Sequence, residues 1–455
     1  MRKSIKTILG GAILVALPML LTSCEGTLDD VFGEWSRPTP GNNTNTTPST
    51  DTTNKYRVWN GTDYDTPTIP STAIDASTIT TTINAGFYDV KSDVNLSGTI
   101  TLAGDAEFVL RDGATLKIAG AIVDNTDTYN LTIYAQSEGT GMGKLDITST
   151  SGDNPIYAKK LTIHGGEIIA SNTGGNAVNL PGGLDMLGGK LTASSDFTAI
   201  YVDGGAINVV KGTIDAQASG DTYYALNASG INMTVLGGTV KATTSGNNSS
   251  CINVGDEFTV SGGVIDAQAT GDSYGIRADK FTVSGGTVTA KSGGGSKDAI
   301  YLAAKMEVND GTINATAGAD CIGINIKNYS SATTPVFNVS GGNITVIGGN
   351  ATTGNGKAGI NINGKSNITG GTINTTGGDA AAGTNTGGAG FVSTNISFAG
   401  CSVLATGGDG TTKGKGVDGT ISFATGSAKG CNDGTSWDIG FSTADSPNTR
   451  YFKYE

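Results

Sequence analysis

Between Phe87 and Ala424 apolar and polar residues alternate in short runs, and the runs themselves recur. The segments GGEIIA (165–170), GGKLTA (188–193), GGTVKA (237–242), GGVIDA (262–267), GGTVTA (285–290) and GGTINT (370–375), with the variants KGTIDA (211–216), DGTINA (310–315) and GGNITV (341–346) between them, are versions of one unit, spaced 23 to 31 residues apart. Each unit holds three such runs: a Gly-Thr-Ile-X-Ala run, a second of the kind Tyr274-Gly275-Ile276-Arg277-Ala278, and a third of the kind Phe281-Thr282-Val283-Ser284 that leads into the next Gly-Gly. Alternation with period two puts every second side chain on one face, which is the signature of a strand and not of a helix. Three strands and three turns in about 23 residues are enough for one coil of a parallel β-helix. The pattern predicts an all-β, single-stranded solenoid with three strands per coil and about 12 coils, roughly 55–60 Å long.

Stacking the units produces inner columns. One contains Ile168, Leu191, Ile214, Val240, Ile265, Val288, Ile313, Ile344 and Ile373, with Ala170, Ala193, Ala216, Ala242, Ala267, Ala290 and Ala315 beside it. The second run supplies Ile200, Leu226, Ile252, Ile276 and Ile300; the third supplies pairs such as Phe258 with Val260 and Phe281 with Val283. Each side chain buried in this way contributes about 1.5–3 kcal/mol. One coil cannot bury them alone, but neighbours can. Outside, Lys241 is expected to stack between Asp215 and Asp266. Open sheet ends need covers. The division expected is 56–112 for the N-terminal cap and first coils, 113–430 for the repeats, and 431–455 for a C-terminal cap carrying Trp437, Phe441, Tyr451 and Phe452.

The first residues break the pattern. Arg2, Lys3 and Lys6 precede an apolar run from Ile8 to Leu21, which is short of the ~20 residues needed to span a bilayer and reads as a secretory signal. It ends in Leu21-Thr22-Ser23-Cys24, which resembles the lipobox of bacterial lipoproteins. That implies cleavage of residues 1–23, acylation of Cys24, and membrane contact through the lipid anchor only. Residues 24–55 include RPTPGNNTNTTPSTDTTNK, a Thr/Asn/Pro tether with little to bury. The expected place is the outer membrane, on its periplasmic or its outward face; Glu25, Asp29, Asp30 and Glu34 loosely resemble surface-export signals of some Gram-negative lipoproteins and point to the outward one. Loss of the signal takes the net charge from −12 to about −15, a balance that repels nucleic acid.

Candidate chemistry lies in the outer columns. Asp196, Asp221, Asp272, Asp298 and Asp320 fall near one corner. Stacked carboxylates of this kind suit calcium, which takes six to eight oxygens; Asp also starts turns by bonding nearby backbone N–H groups. The outer column of the second run reads Tyr157, Asn179, Tyr201, Asn227, Asn253, Arg277, Tyr301, Asn325 and Asn361, with small residues (Ala177, Ala199, Ala225, Cys251, Gly275, Ala299) one position earlier as an expected low floor. Tyr157, Tyr201 and Tyr301 offer rings for sugars, Asn253 and Asn325 offer amides for hydroxyls, and Arg277 offers a partner for a uronate carboxylate. The alternative is an ordinary solvent-facing ladder. His164 is the only histidine and is expected at a turn or facing solvent. Catalysis has little support: a lyase would have to use Arg277 as base near Asp272, Asp279 and Asp298. Cys401 and Cys431 each follow the Gly of consecutive repeats; stacked about 5 Å apart they permit a disulfide or remain two free thiols.

The stretches FVLRDGATLKI (108–118) and NLTIYAQSEGTGMGKL (130–145) resemble the opening coils of bacterial surface β-helix proteins, and GDSYGIRADKFTVSGGTV (271–288) is similar to repeats of the calcium-dependent, acidic-polysaccharide-binding β-helix family. The resemblance implies a right-handed, pectate-lyase-like helix that binds acidic glycans without cleaving them. It also implies calcium at Asp272 and Asp279, and less closely at Asp298 and Asp320. The combined expectation is a surface-tethered, monomeric, non-catalytic polysaccharide binder; the alternatives are a structural or adhesive spacer and, more remotely, a polysaccharide lyase.

Overall fold

Every apolar column places its side chains inside one continuous core, because consecutive coils lie in register. The computed structural model describes residues 54–327, 334–423, 425–437 and 439–455; Cys24, the signal segment and nearly all of the tether lie outside the described residues. The chain forms a right-handed parallel β-helix of about 13 coils with almost no helix. Three ladders of parallel strands run along it. The first contains Glu167–Asn172, Lys190–Ser195, Thr213–Ala218, Thr239–Thr244 and Val264–Ala269. The second contains Val178–Leu180, Ile200–Val202 and Leu226–Ala228. The third contains Leu184–Met186, Ala206–Val209 and Asn232–Val235.

The register confirms the columns residue by residue: Ile214 pairs with Val240, Val240 with Ile265, and Ile265 with Val288. All four are fully buried. In the third ladder Phe258 stacks on Phe281 with ring centroids 4.8 Å apart, the spacing of one coil. The Gly-Gly corner is needed for close approach. Gly263 has φ +74°, and a Cβ there would lie 2.4 Å from the Gly238 carbonyl oxygen. No L side chain fits, so the corner column stays glycine. Outside, Asp215, Lys241 and Asp266 stack as expected, with the Lys241 Nζ 3.9 Å from Asp215.

Both ends differ from simple stacking. Near the N-terminus, Val58–Trp59 and Tyr64–Asp65 form an antiparallel hairpin. It lies against the outside of the solenoid: the Arg57 N–H donates to the Ala135 carbonyl, and the Tyr64 hydroxyl donates to the Leu187 carbonyl at 2.6 Å. At the C-terminus the ladder ends by reversal. Tyr451–Tyr454 pairs antiparallel with Ser402–Thr406 on one side and with Ala428–Cys431 on the other. Phe452 and Tyr454 are buried against Phe398. A reversed strand cannot template another parallel coil, so the open edge is closed.

That reversal corrects the expected cysteine stack. Cys431 sits opposite Tyr451, and Tyr451 sits opposite Thr406, five positions beyond Cys401. A whole strand and about 16 Å of chain direction separate the two sulfurs, beyond disulfide reach. Both are free and buried. The stacking argument assumed one more parallel coil where the chain instead turns back.

Candidate functional site

The second ladder aligns the polar row as the alternation requires. Tyr157 pairs with Asn179, Asn179 with Tyr201, Tyr201 with Asn227, Asn227 with Asn253, Asn253 with Arg277, Arg277 with Tyr301, Tyr301 with Asn325, and Asn325 with Asn361. Much of the row bonds to itself. The Asn253 amide donates to Asn227 Oδ1 at 2.7 Å, Arg277 donates to Asn253 Oδ1 at 3.4 Å, and the Asn361 amide donates to Asn325 Oδ1 at 3.1 Å. The Tyr157 hydroxyl donates to Asp127 at 2.5 Å; that bond, with burial second, pushes its ionisation up to about 12. Burial and Asp203 raise Tyr201. Arg277 is exposed, and among the described residues it makes no ion pair with Asp272, Asp279 or Asp298.

The small residues before this row are not a surface floor. Ala177, Ala199, Ala225, Cys251 and Ala299 are fully buried. A Cβ on Gly275 would lie 2.9 Å from the Lys291 nitrogen, at the end of the first ladder. The column fills the tight inner corner where the first ladder bends into the second, and that closeness is why it is small.

The acidic corner works mainly as turn chemistry across coils. Asp221 Oδ1 accepts the Asn247 N–H at 2.7 Å, Asn247 Oδ1 accepts the Asp272 N–H at 2.9 Å, and Asp272 Oδ1 accepts the Ser296 and Lys297 N–H groups at 2.7 and 3.1 Å. Further on, Asp320 accepts the Thr352 N–H at 3.1 Å; the Thr352 hydroxyl is the largest influence holding its carboxyl below the ordinary range. Asp320 itself adopts φ +64°, a left-handed turn conformation that Asp tolerates. Asp279 is exposed. Asp298 is turned inward: its carboxylate accepts the Ile322 N–H at 2.9 Å and the Asn325 amide at 2.8 Å, and burial raises its ionisation. Among the described residues no three His, Cys, Asp or Glu side chains converge as a metal cluster.

The structure gathers part of the expected set into one open cleft of about 590 Å³. Tyr301, Asn325, Asp298 and Asp320 line it, together with Tyr274, Lys327 and Lys357. Tyr274 and Tyr301 are tilted rings 5.3 Å apart, and Lys297 Nζ lies 5.6 Å from the Tyr274 ring centre. Tyr301 is only 4% exposed and donates to the Lys327 carbonyl at 3.1 Å, so Tyr274 presents the accessible ring. Tyr157, Tyr201, Asn253, Arg277, Asp272 and Asp279 do not line this cleft. Sequence reasoning missed Tyr274, Lys327 and Lys357. Aligning the units on the Gly of the second run, Gly275 and Gly359, puts Tyr274 and Lys357 just ahead of it, whereas Lys327 follows its strand.

His164 is also placed differently from expectation. It is 2% exposed, stacks on Tyr134 at 4.8 Å, and its Nδ1 accepts the Trp59 N–H at 2.9 Å. Burial lowers its ionisation to about 3. The hairpin covers it, and no periodicity in the repeats signals a cover that comes from 105 residues away.

No family model, curated protein or solved structure matches the chain.

Proposed function

We propose that this chain is an exported lipoprotein, anchored through Cys24 in the outer membrane and facing outward, whose β-helix binds an extracellular acidic polysaccharide without cleaving it. The observation that carries the reading is the cleft beside Tyr274. It combines a partly exposed aromatic ring, the Asn325 amide, and the cationic side chains of Lys327 and Lys357 in one open concavity. A ring of this kind stacks on the C–H face of a sugar, and a cation pairs with a uronate carboxylate. Arg277 continues the second-ladder row on the coil before Tyr301 and extends the track for a polymer. Within the cleft calcium would be held through the carboxylate of Asp320, bridging protein and uronate; Asp279 lies outside it. The protein acts as a monomer and contacts the membrane through its lipid alone.

A second reading is favoured by a specific observation. The Asn227–Asn253–Arg277 bonds satisfy side chains within the row, which is what a structural spacer requires.

A glycan array with and without chelator separates the two. Binding of polygalacturonate or another uronate polymer, weakened at least about tenfold in Tyr274→Ala, supports the cleft, since ring stacking and its associated burial are worth about 1.5 kcal/mol or more. Loss of that binding on chelation places calcium in the site. Absence of any uronate signal in both conditions removes this reading in favour of the spacer. A lyase would release unsaturated product from polygalacturonate; no such product is expected.

A further inference from the structure

The outer face of the first ladder changes character part-way along. Its central outward column runs Lys117, Asp146, Ile169, Thr192, Asp215, Lys241 and Asp266 in the earlier coils, five of the seven charged, then Thr289, Asn314, Thr345, Asn374 and Leu404 in successive later coils, none of them charged. The flanking outward columns beyond Asp266 hold Thr, Asn or Ser, with Lys291 and Ile347 as the exceptions. Earlier coils of the same face carry ion pairs across coils, such as Lys144 with Glu167 at 3.1 Å and Lys190 with Glu167 at 3.3 Å. A chain of net charge −12 therefore has one long sheet face that is almost free of charge.

This face also differs from the second-ladder row in its hydrogen bonding. The side chains of Thr289, Asn314, Thr345 and Asn374 make no hydrogen bond within the chain among the described residues, whereas the Asn253 amide bonds Asn227. Their donors and acceptors repeat at the coil rise of about 4.8 Å. Ile347 and Leu404 add apolar surface, 45% and 39% exposed. The face has no aromatic anchor of the kind that centres protein–protein interfaces.

We propose that the outer face of the first ladder beyond Asp266 is a binding surface for an uncharged, extended polysaccharide lying along the solenoid axis. Hydroxyl and amide groups each donate and accept, so a flat array of Thr and Asn matches a polymer whose every residue presents hydroxyls. The exposed aliphatic side chains meet the apolar faces of the sugar rings. A near-neutral face gives a uronate polymer no partner for its carboxylates. The surface is separate from the cleft at Tyr274 and takes a different charge class, so it does not rest on that proposal.

The test uses the mature chain on immobilised uncharged glycans (β-glucan, mannan, xylan) beside polygalacturonate. Wild type should retain at least one uncharged glycan. Thr345 and Asn374 are directly paired, so Thr345→Asp with Asn374→Lys copies the Asp215–Lys241 arrangement already on this face and leaves net charge unchanged. It should weaken uncharged-glycan binding at least about tenfold, the loss expected from disrupting one or two hydrogen bonds, while polygalacturonate binding stays the same. Should that pair melt the fold, Thr289→Val with Thr345→Val removes only hydroxyls from strand-compatible residues and should weaken binding in the same direction. Three results overturn the proposal: no uncharged glycan retained by wild type, binding unchanged in the folded variants, or uncharged-glycan binding that disappears with Tyr274→Ala and not with the face variants.

Discussion

The N-terminal hairpin should loosen from the solenoid as pH falls, with His164 as the switch. In the closed state His164 Nδ1 must be unprotonated, because it accepts the Trp59 N–H at 2.9 Å. Protonation would place two N–H groups face to face in a buried site. Burial accordingly holds the folded-state value near 3, against about 6.5 for an exposed histidine. A histidine depressed in this way contributes stability that is present above its ordinary value and is lost as pH falls toward the folded one. Opening the hairpin uncovers the ring, so the lost free energy appears first as local opening and not as global unfolding. From pH 8 to pH 5 the shift corresponds to about 2 kcal/mol, an opening constant about 30-fold larger; the full effect, reached only below pH 3, is about 5 kcal/mol. The remaining hairpin contacts are kept in His164→Asn, so that variant isolates the imidazole: Arg57 pairs with Glu138 at 2.8 Å, and Lys211 Nζ lies 4.1 Å from the Trp59 ring centre. Hydrogen exchange read by mass spectrometry on the peptide containing Trp59, corrected for intrinsic chemistry, measures the opening directly. Protection should fall about 30-fold between pH 8 and pH 5 in wild type. It should be flat in His164→Asn, whose amide oxygen can replace the acceptor without titrating. Equal protection at the two pH values in wild type, or the same slope in His164→Asn, would refute the reasoning.

Other consequences are simpler to measure. Ile265→Ala empties a fully buried column position between Val240 and Val288 and should cost about 2–5 kcal/mol in urea unfolding; Thr289→Ala on the outer face should stay within about 0.5 kcal/mol. Gly263→Ala must force apart the Gly238 corner and adopt a left-handed φ, so a loss of more than about 1 kcal/mol is expected, and a neutral melting curve would contradict the corner geometry. Asp272→Ala leaves the Ser296 and Lys297 N–H groups without their acceptor and should cost about 1–3 kcal/mol, with Asp272→Asn recovering most of it. Alkylation of the denatured, unreduced protein should modify both Cys401 and Cys431; a cross-linked peptide between them would be inconsistent with the interposed strand.

Sequence periodicity determined the solenoid, its inner columns and the order of its outer rows. Those properties are local: an alternating run decides which side chains face inward, and equal spacing decides which stack, so Ile214, Val240 and Ile265 align without further information. The same logic placed Asn253 beside Asn227 and Lys241 beside Asp215. Tertiary structure alone decided what the third dimension adds to a repeating line. It turned the small column of Ala199 and Ala225 into a packed corner, since the angle between ladders is not written in a period. It inserted Tyr451–Tyr454 between the strands that carry or adjoin Cys401 and Cys431, since the chain reverses only after the repeats end. It brought Lys327 and Lys357 to the Tyr274 cleft through turns of unequal length, and laid Trp59 over His164. Contacts made by irregular segments depend on where a distant loop lands, and repetition holds no information about that.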